Sequence, residues 1–295
     1  MIEGRRSRTA ERVAMRRAAH QLYDRPAIFE DPLALKILSD ESAARVRSSA
    51  EEQTPFARGF RAYIATRARF AEEELARSVE QGVRQFVVLG AGLDTFAYRN
   101  PFPELRVFEV DHPDTQAWKR QRLHHAGIAI PESMRFAPVD FERDTLAHGL
   151  EAAGFQCEKP AFFSWLGVVP YLTRNAAFAT LRFIAGLPRC SGVVFDYTIP
   201  RELMNEMERR AFEVLAERVA RAGEPFRLFF DPVRLAADLR ELGFNEVEDQ
   251  SAAEIRARWL GEDGLLKARS GRLLCARVQA QRDAATKSQA TDASA

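Results

Sequence analysis

The sequence predicts an α/β domain built on a mostly parallel sheet, with helices on both faces and a helical cap ahead of the first strand. Three observations lead to this class. Apolar residues at helical spacing dominate the first 82 residues, short apolar runs alternate with helical segments from Arg84 onward, and a glycine turn directly follows the first run. Alternating strands and helices are typical of a parallel sheet that is covered on both sides.

The helical cap is predicted to span residues 1–82. A threonine at position 9 precedes apolar residues at helical spacing, and the FEDP stretch from Phe29 to Pro32 predicts the start of a second helix. A third helical region is expected over 53–79, with Gly82 in the position where helices commonly end.

The core is predicted to span residues 83–282, with a further cap insertion at about 200–230. Runs that are apolar throughout indicate strands buried on both faces. The predicted strands are QFVVLG, LRVFEVD, MRFAPVDF, AFFSWLGVV and GVVFDYTI, with RLLCARVQA as the last one. The helices predicted between and after them are RNAAFATLRFIAGLP and DPVRLAADLRELGF, and the small polar tail at 283–295 is expected to be disordered.

Composition restricts the function classes. The 295 residues allow one large domain with cap segments, and 43 Lys and Arg against 42 Asp and Glu give a net charge of +1. This balance favours a small-molecule partner over nucleic acid or an anionic membrane, and it leaves a homo-oligomer open. The three cysteines are widely separated and form no CxxC pair, so we expect no disulfide framework and no zinc site. With no apolar run near the roughly 18 residues of a membrane span and no signal peptide, we expect a cytoplasmic protein.

The sharpest motif is VVLGAGLDT, in which a buried strand runs directly into Gly90, Ala91 and Gly92. Glycines let the backbone turn tightly and approach a ligand where a Cβ atom would clash. The motif therefore predicts a nucleotide-like cofactor at this turn, and the alternative is a tight turn without a ligand.

Acidic residues follow the next two predicted strands. Glu109 and Asp111 lie about 20 residues after the turn, where a ribose diol would need a hydrogen-bond acceptor. The alternative for such an acid is a solvated strand end. Asp140 and Phe141 follow the third strand and suit an adenine amino group and ring edge, with ordinary turn and core roles as the alternative.

Two cofactors compete for this pattern: a nicotinamide dinucleotide and S-adenosylmethionine. The dinucleotide fingerprint needs a third glycine near a pyrophosphate, whereas this chain has GAGLDT with Asp94 at that place. A carboxylate there repels pyrophosphate and tolerates the ammonium group of a methionine moiety. The sequence therefore favours S-adenosylmethionine.

The segments FVVLGAGLDTFAYR, FEVDHPDTQAWKRQRL and FFSWLGVVPYLT resemble the leucine carboxyl methyltransferase family, which includes many bacterial members and the polyketide carboxyl methyltransferases. The resemblance implies a class I methyltransferase sheet with an antiparallel seventh strand, and methyl transfer to oxygen. It also implies that Arg67 pairs with the cofactor carboxylate, that Gly90 is the first glycine of the turn, that Asp111 binds the ribose, and that Asp140 and Phe141 bind the adenine. A basic cap residue of some relatives corresponds loosely to Arg17.

The resemblance fails at one position. Many relatives carry a glutamate after the fourth strand, where this chain has Leu166 in SWLGVVPYL. This difference argues against a protein acceptor and favours O-methylation of a carboxylate or hydroxyl on a small molecule. Such a transfer needs no metal, and a carboxylate acceptor needs no general base.

No catalytic residue is assigned from the sequence. His20, His112 and Tyr171 are more typical of cap, loop and core positions, and a group of aromatic residues is expected either to line the acceptor pocket or to serve ordinary packing: Phe56, Phe60, Phe226, Phe229 and Phe230. The alternatives to a methyltransferase are a nicotinamide-dependent oxidoreductase and a catalytically silent cofactor-binding protein.

Overall fold

Three helices precede the sheet in the computed structural model, which describes residues 8–48, 54–140, 144–221, 223–260 and 271–279. They are α1 (Arg8–Tyr23), α2 (Asp40–Ser48) and α3 (Pro55–Glu80). The side chain of Thr54 accepts a hydrogen bond from Ala57 N, which caps the first turn of α3. Phe141 and the predicted tail at 283–295 lie outside the described residues.

The prediction that a helix starts at Phe29 to Pro32 is wrong. Turns occupy residues 32–37, and α2 begins only at Asp40. Asp31 accepts a hydrogen bond from Leu33 N at 3.1 Å, as a helix cap would, but its carboxylate is also held by Arg17 and Thr95. These contacts fix the segment as a compact turn against α1.

Seven strands form one sheet in the order β3-β2-β1-β4-β5-β7-β6. They are β1 (Gln85–Leu89), β2 (Arg106–Asp111), β3 (Met134–Pro138), β4 (Ala161–Trp165), β5 (Gly192–Thr198), β6 (Glu246–Gln250) and β7 (Gly271–Arg277). The first five strands are parallel, and β7 is antiparallel to both β5 and β6. This confirms the predicted mostly parallel sheet with an antiparallel last strand.

Helices cover both faces of the sheet. The remaining ones are α4 (Pro113–His125), α5 (Leu146–Ala152), α6 (Arg174–Ala185), α7 (Glu206–Arg221), α8 (Pro232–Leu242) and α9 (Ala252–Trp259). One apolar cluster joins α5, α6 and α8 to the sheet through residues such as Leu150, Leu181 and Leu235. A second joins α3 and α9 to the opposite face through Leu75 and Ile255. Every residue of β1, β4 and β5 is therefore buried, as their apolar runs predicted.

The strand order places a crevice between β1 and β4. The chain leaves β1 toward β2 on one side and returns to β4 on the other, so the loops that follow these two strands separate at the carboxyl edge of the sheet. Ligands of open α/β sheets bind at such a point. Within the described residues, no helix is long and apolar enough to cross a membrane.

Candidate active site

A cavity of about 920 Å³ opens at the carboxyl ends of β1 and β4. Its walls come from α1, α3, the loops after the first four strands and the segment 223–227. The predicted site residues that line it are Arg67, Gly90, Ala91, Gly92, Asp111 and Asp140. The structure therefore brings six of the seven predicted residues to one cavity, and the seventh, Phe141, is not among the described residues.

The glycine turn presents bare backbone to this cavity. Gly90 and Gly92 have φ values of 67° and 46°, in the region that favours glycine. The N–H groups of Gly90 and Ala91 both donate to the carbonyl oxygen of Val110, at 2.8 and 3.1 Å. A Cβ atom on Gly90 would lie 2.4 Å from Cγ2 of Val168, so no side chain fits between the turn and the loop after β4.

Asp111, the last residue of β2, lines the cavity. Its Oδ2 accepts a hydrogen bond from Gly92 N at 2.6 Å, and its Oδ1 accepts one from His112 N at 2.7 Å. Burial raises the pKa of Asp111, while these two backbone bonds act in the opposite direction. A carboxylate has about four lone pairs, so Asp111 retains the capacity to accept a bond from a ligand hydroxyl.

Glu109, the other acid of β2, is not part of the cavity wall. It lies deeper in the sheet, where its Oε2 is 2.7 Å from Lys119 Nζ and accepts a 3.2 Å hydrogen bond from the hydroxyl of Tyr98. Burial raises the pKa of Glu109 to about 7, although the Lys119 ammonium favours the charged form. Of the two acids at this strand end, only Asp111 is placed to meet a ligand.

Arg67 reaches the cavity from the middle of α3. Its Nη1 donates to Oδ2 of Asp196 at 2.9 Å, and both side chains are buried. Within the described residues, the other guanidinium N–H groups of Arg67 have no hydrogen-bond partner, and the residue lines the cavity. Sequence reasoning missed Asp196, although a carboxylate in the otherwise apolar run GVVFDYT was a usable signal.

Asp140 follows β3 and lines the same cavity. Its backbone is fixed by Asp144, whose N–H donates to the Asp140 carbonyl at 2.7 Å and whose Oδ2 accepts from Asp140 N at 3.2 Å. Leu166, in the loop that follows β4, also lines the cavity and presents an apolar side chain there.

Arg17 of α1 lines the cavity, and both of its terminal nitrogens already donate hydrogen bonds within the protein. Its Nη2 donates to Thr95 Oγ1 at 2.7 Å and to Asp31, and its Nη1 donates to Asp94 Oδ2 at 3.2 Å. Asp94 in turn accepts from Phe96 N at 2.8 Å. These contacts join the cap helix to the residues that follow the glycine turn.

The outer part of the cavity is formed by Tyr171, Arg227 and a contact between α1 and the segment after α7. The hydroxyl of Thr9 donates to the Glu224 carboxylate, and both residues line the cavity. The ring of Tyr171 stacks on Phe226 at 5.3 Å between centroids, and burial raises the pKa of its hydroxyl. The five phenylalanines considered as pocket residues do not line the cavity, so their packing alternative is correct.

The two histidines considered from the sequence have local structural contacts. His112 lines the cavity and caps α4 by accepting from Asp114 N through Nδ1 at 3.2 Å. His20 is buried between Asp24 and the backbone of Ile28. No cluster of three His, Cys, Asp or Glu residues that could hold a metal ion occurs in the part of the chain that the structure describes.

Comparisons with known proteins identify the family of the chain. A family model described as leucine carboxyl methyltransferase matches residues 10–185. A Bacillus subtilis protein, YktD, named as a candidate S-adenosyl-L-methionine-dependent methyltransferase, is 33% identical over 245 residues, which cover 74% of this chain and 79% of that protein. A similarly named Mycolicibacterium smegmatis protein is 35% identical over 194 residues, covering 61% of this chain and 62% of its own length.

Two solved structures share the fold at 15% identity. A candidate methyltransferase from Thermobifida fusca has a TM-score of 0.53, with 91% of this chain and 94% of that chain covered. A DUF574 family protein from Streptomyces avermitilis has a TM-score of 0.52, with 90% and 96% covered. Because the family model spans more than half of the 295 residues, the chain belongs to the leucine carboxyl methyltransferase family of S-adenosylmethionine-dependent enzymes.

Proposed function

We propose that this protein transfers the methyl group of S-adenosylmethionine to an oxygen atom of a small molecule, and that the oxygen belongs to a carboxylate. The observation that supports the proposal is the cavity at the β1–β4 crevice, which a bare glycine turn, a buried arginine and a strand-end aspartate line together. That arrangement offers a cation for a carboxylate and an acceptor for a hydroxyl, as the two ends of an adenosyl amino acid require.

The cavity residues supply a contact for each part of the cofactor. Arg67 has unpartnered N–H groups toward the cavity among the described residues, and these suit the amino-acid carboxylate. The Gly90 to Gly92 backbone lines the cavity, and Asp111, which Gly92 N holds at 2.6 Å, accepts from the ribose hydroxyls. Asp140, which also lines the cavity, suits the adenine end, the role that the sequence predicts for it together with Phe141.

The bound cofactor supplies an electrophilic methyl group on a sulfonium ion. The protein aligns the acceptor with it and excludes water; such alignment contributes about 7–11 kcal/mol to lowering a barrier. A carboxylate acceptor is already anionic at neutral pH and needs no general base. Burial raises the pKa of Tyr171, so its hydroxyl stays protonated and donates rather than abstracts a proton. The exposed Arg227 at the rim favours an anionic acceptor.

Calorimetry with the demethylated cofactor S-adenosylhomocysteine, NAD and NADP tests the cofactor. We expect binding of S-adenosylhomocysteine alone. Binding of NAD or NADP instead would point to an oxidoreductase and refute the proposal.

Incubation with methyl-labelled donor and a panel of carboxylic acids and phenols tests the acceptor. Carboxyl methyl esters release volatile labelled methanol in mild alkali, whereas aryl methyl ethers do not. We expect alkali-labile label in a carboxylic acid. Alkali-stable label would indicate a hydroxyl acceptor. Cofactor binding without any labelled product would indicate a catalytically silent cofactor-binding protein.

A further inference from the structure

We infer that Asp196 is a positioning residue, which holds the Arg67 guanidinium in the orientation that receives the cofactor carboxylate. The inference rests on the proposed role of Arg67. Asp196 does not line the cavity, so it acts on a ligand only through the residue that it holds.

Asp196 joins three elements at one carboxylate. From β5, its Oδ2 accepts from Nη1 of Arg67 on α3 at 2.9 Å and from the hydroxyl of Tyr63 at 3.4 Å. Its Oδ1 accepts from the backbone N–H of Gly167, in the loop after β4. The side chains of Arg67 and Asp196 are only 10% and 6% exposed. Three hydrogen bonds from two other elements thus hold the carboxylate in place.

Gly167 packs against the same guanidinium. Its φ is +71°, and a Cβ atom there would lie 2.9 Å from Nη2 of Arg67. The guanidinium therefore lies directly against the loop backbone, in contact with Asp196 at Nη1. An arginine side chain has large rotamer freedom, and a planar group held at two places loses that freedom before the ligand arrives.

The direction in which ligand affinity changes when the Asp196 carboxylate is removed distinguishes a positioning role from a purely electrostatic one. If net charge alone governed binding, removing the Asp196 carboxylate would strengthen the attraction between Arg67 and an anionic ligand. If Asp196 positions Arg67, its removal releases the guanidinium and weakens binding of any ligand that carries the carboxylate. Ligands without a carboxylate are unaffected.

The experiment compares two ligands on Asp196→Asn: S-adenosylhomocysteine, and 5′-methylthioadenosine, which lacks the amino-acid group. Asparagine keeps the shape and removes the charge. We expect about tenfold weaker binding of S-adenosylhomocysteine, as for the loss of one charge-assisted contact, with 5′-methylthioadenosine unchanged. Equal weakening of both ligands would show a merely structural role, and tighter S-adenosylhomocysteine binding would show the charge effect; either result overturns the inference.

Asp249→Asn is the matched control. Asp249 is a half-buried carboxylate on β6 that pairs with Arg272 at 2.9 Å outside the cavity wall, so both affinities should stay at the wild-type value. Gly167→Ala tests the same idea while keeping the Asp196 side chain, because the added Cβ displaces the guanidinium. It should weaken binding of S-adenosylhomocysteine relative to that of 5′-methylthioadenosine.

Arg67→Met distinguishes a failure of the positioning role of Asp196 from a failure of the carboxylate-binding role of Arg67. If Arg67→Met weakens S-adenosylhomocysteine selectively and Asp196→Asn and Gly167→Ala do not, Asp196 is not a positioning residue and the Arg67 assignment stands. If Arg67→Met leaves the ratio unchanged, the Arg67 assignment fails, and the inference fails with it.

Discussion

At the scale of single residues, the two acids of β2 show how neighbouring carboxylates acquire different tasks. Asp111 ends the strand at the cavity, with its oxygens on Gly92 N and His112 N, whereas Glu109 is buried two residues earlier against Lys119. Both were candidates for the ribose, and only their surroundings distinguish them.

Replacing Asp111 by Ala should weaken S-adenosylhomocysteine binding by about 1–3 kcal/mol, because a charge-assisted acceptor and the support of the glycine turn are both lost. Calorimetry measures this. Glu109→Gln is the comparison: it should lower the melting temperature, because Lys119 loses its buried partner, and leave the dissociation constant unchanged. If the dissociation constant of S-adenosylhomocysteine rises in Glu109→Gln and not in Asp111→Ala, Glu109 rather than Asp111 binds the ribose.

Glu109 also predicts a pH dependence of stability. Its pKa rises from the ordinary 4.5 to about 7 in the folded protein. Between these two values the unfolded chain releases the proton that the folded protein retains, so this group lowers the free energy of unfolding as the pH rises from 4.5 to 7. Urea titrations across that range should show the wild type losing stability relative to Glu109→Gln. Parallel curves for the two proteins would contradict the raised pKa.

Gly90 is a position at which the site cannot accommodate a side chain. Gly90→Ala should cost about 1–3 kcal/mol of stability for the strained backbone and should also weaken cofactor binding, because the new Cβ meets Val168 at 2.4 Å. Gly154→Ala has a similar φ, +86°, with no atom within 4 Å of the added Cβ, and should affect stability only. Adding Val168→Ala to Gly90→Ala should recover part of the binding loss; if it recovers none, the clash is not the cause.

At the scale of elements, the cavity is closed by two segments that are far apart in sequence. α1 contributes Thr9, Ala10, Val13, Ala14 and Arg17, and the segment 223–227 meets it through Glu224. A helix that presents residues at spacings of three and four to a cavity acts as a wall that the sheet alone does not supply. Ligand binding should therefore order these two segments together.

Hydrogen exchange measures that ordering. Saturation with S-adenosylhomocysteine should slow exchange of the amides in α1 and in residues 223–227, since local opening of these walls then competes with binding. α9, whose residues do not line the cavity, should exchange at the same rate with and without ligand. Protection confined to the glycine turn would show that neither segment closes on the cofactor.

At the scale of the whole molecule, S-adenosylhomocysteine should stabilise the fold. At 100 times its dissociation constant, a ligand that binds only the folded state adds about 2.7 kcal/mol, which raises the melting temperature by roughly 5–10 °C for a domain of about this size. Scanning calorimetry with and without ligand measures the shift, with NAD at the same concentration as the control. An equal shift with NAD would contradict the cofactor assignment.

Local patterns predicted most of this architecture. Strands such as β1 and β5 are buried on both faces, so their apolar runs identified them directly. The two glycines after β1 predicted a tight turn, and both have the positive φ values that such a turn requires. The antiparallel seventh strand came from the family resemblance. The pairing of Arg67 with Asp196 joins residues 129 positions apart, and no local pattern carries such a contact. The misplaced start of the second helix has the same origin, since distant partners hold Asp31.

The position of β7 between β5 and β6 has a consequence for synthesis on the ribosome. Every residue that lines the cavity precedes residue 228, yet β5 pairs along its full length with a strand that ends at Arg277. Until that strand emerges, a nascent chain with a complete ligand cavity carries an open, apolar sheet edge, which is prone to join another chain. Productive folding is therefore delayed until β7 has been synthesised, and truncation before Gly271 would yield insoluble chains rather than a smaller working enzyme.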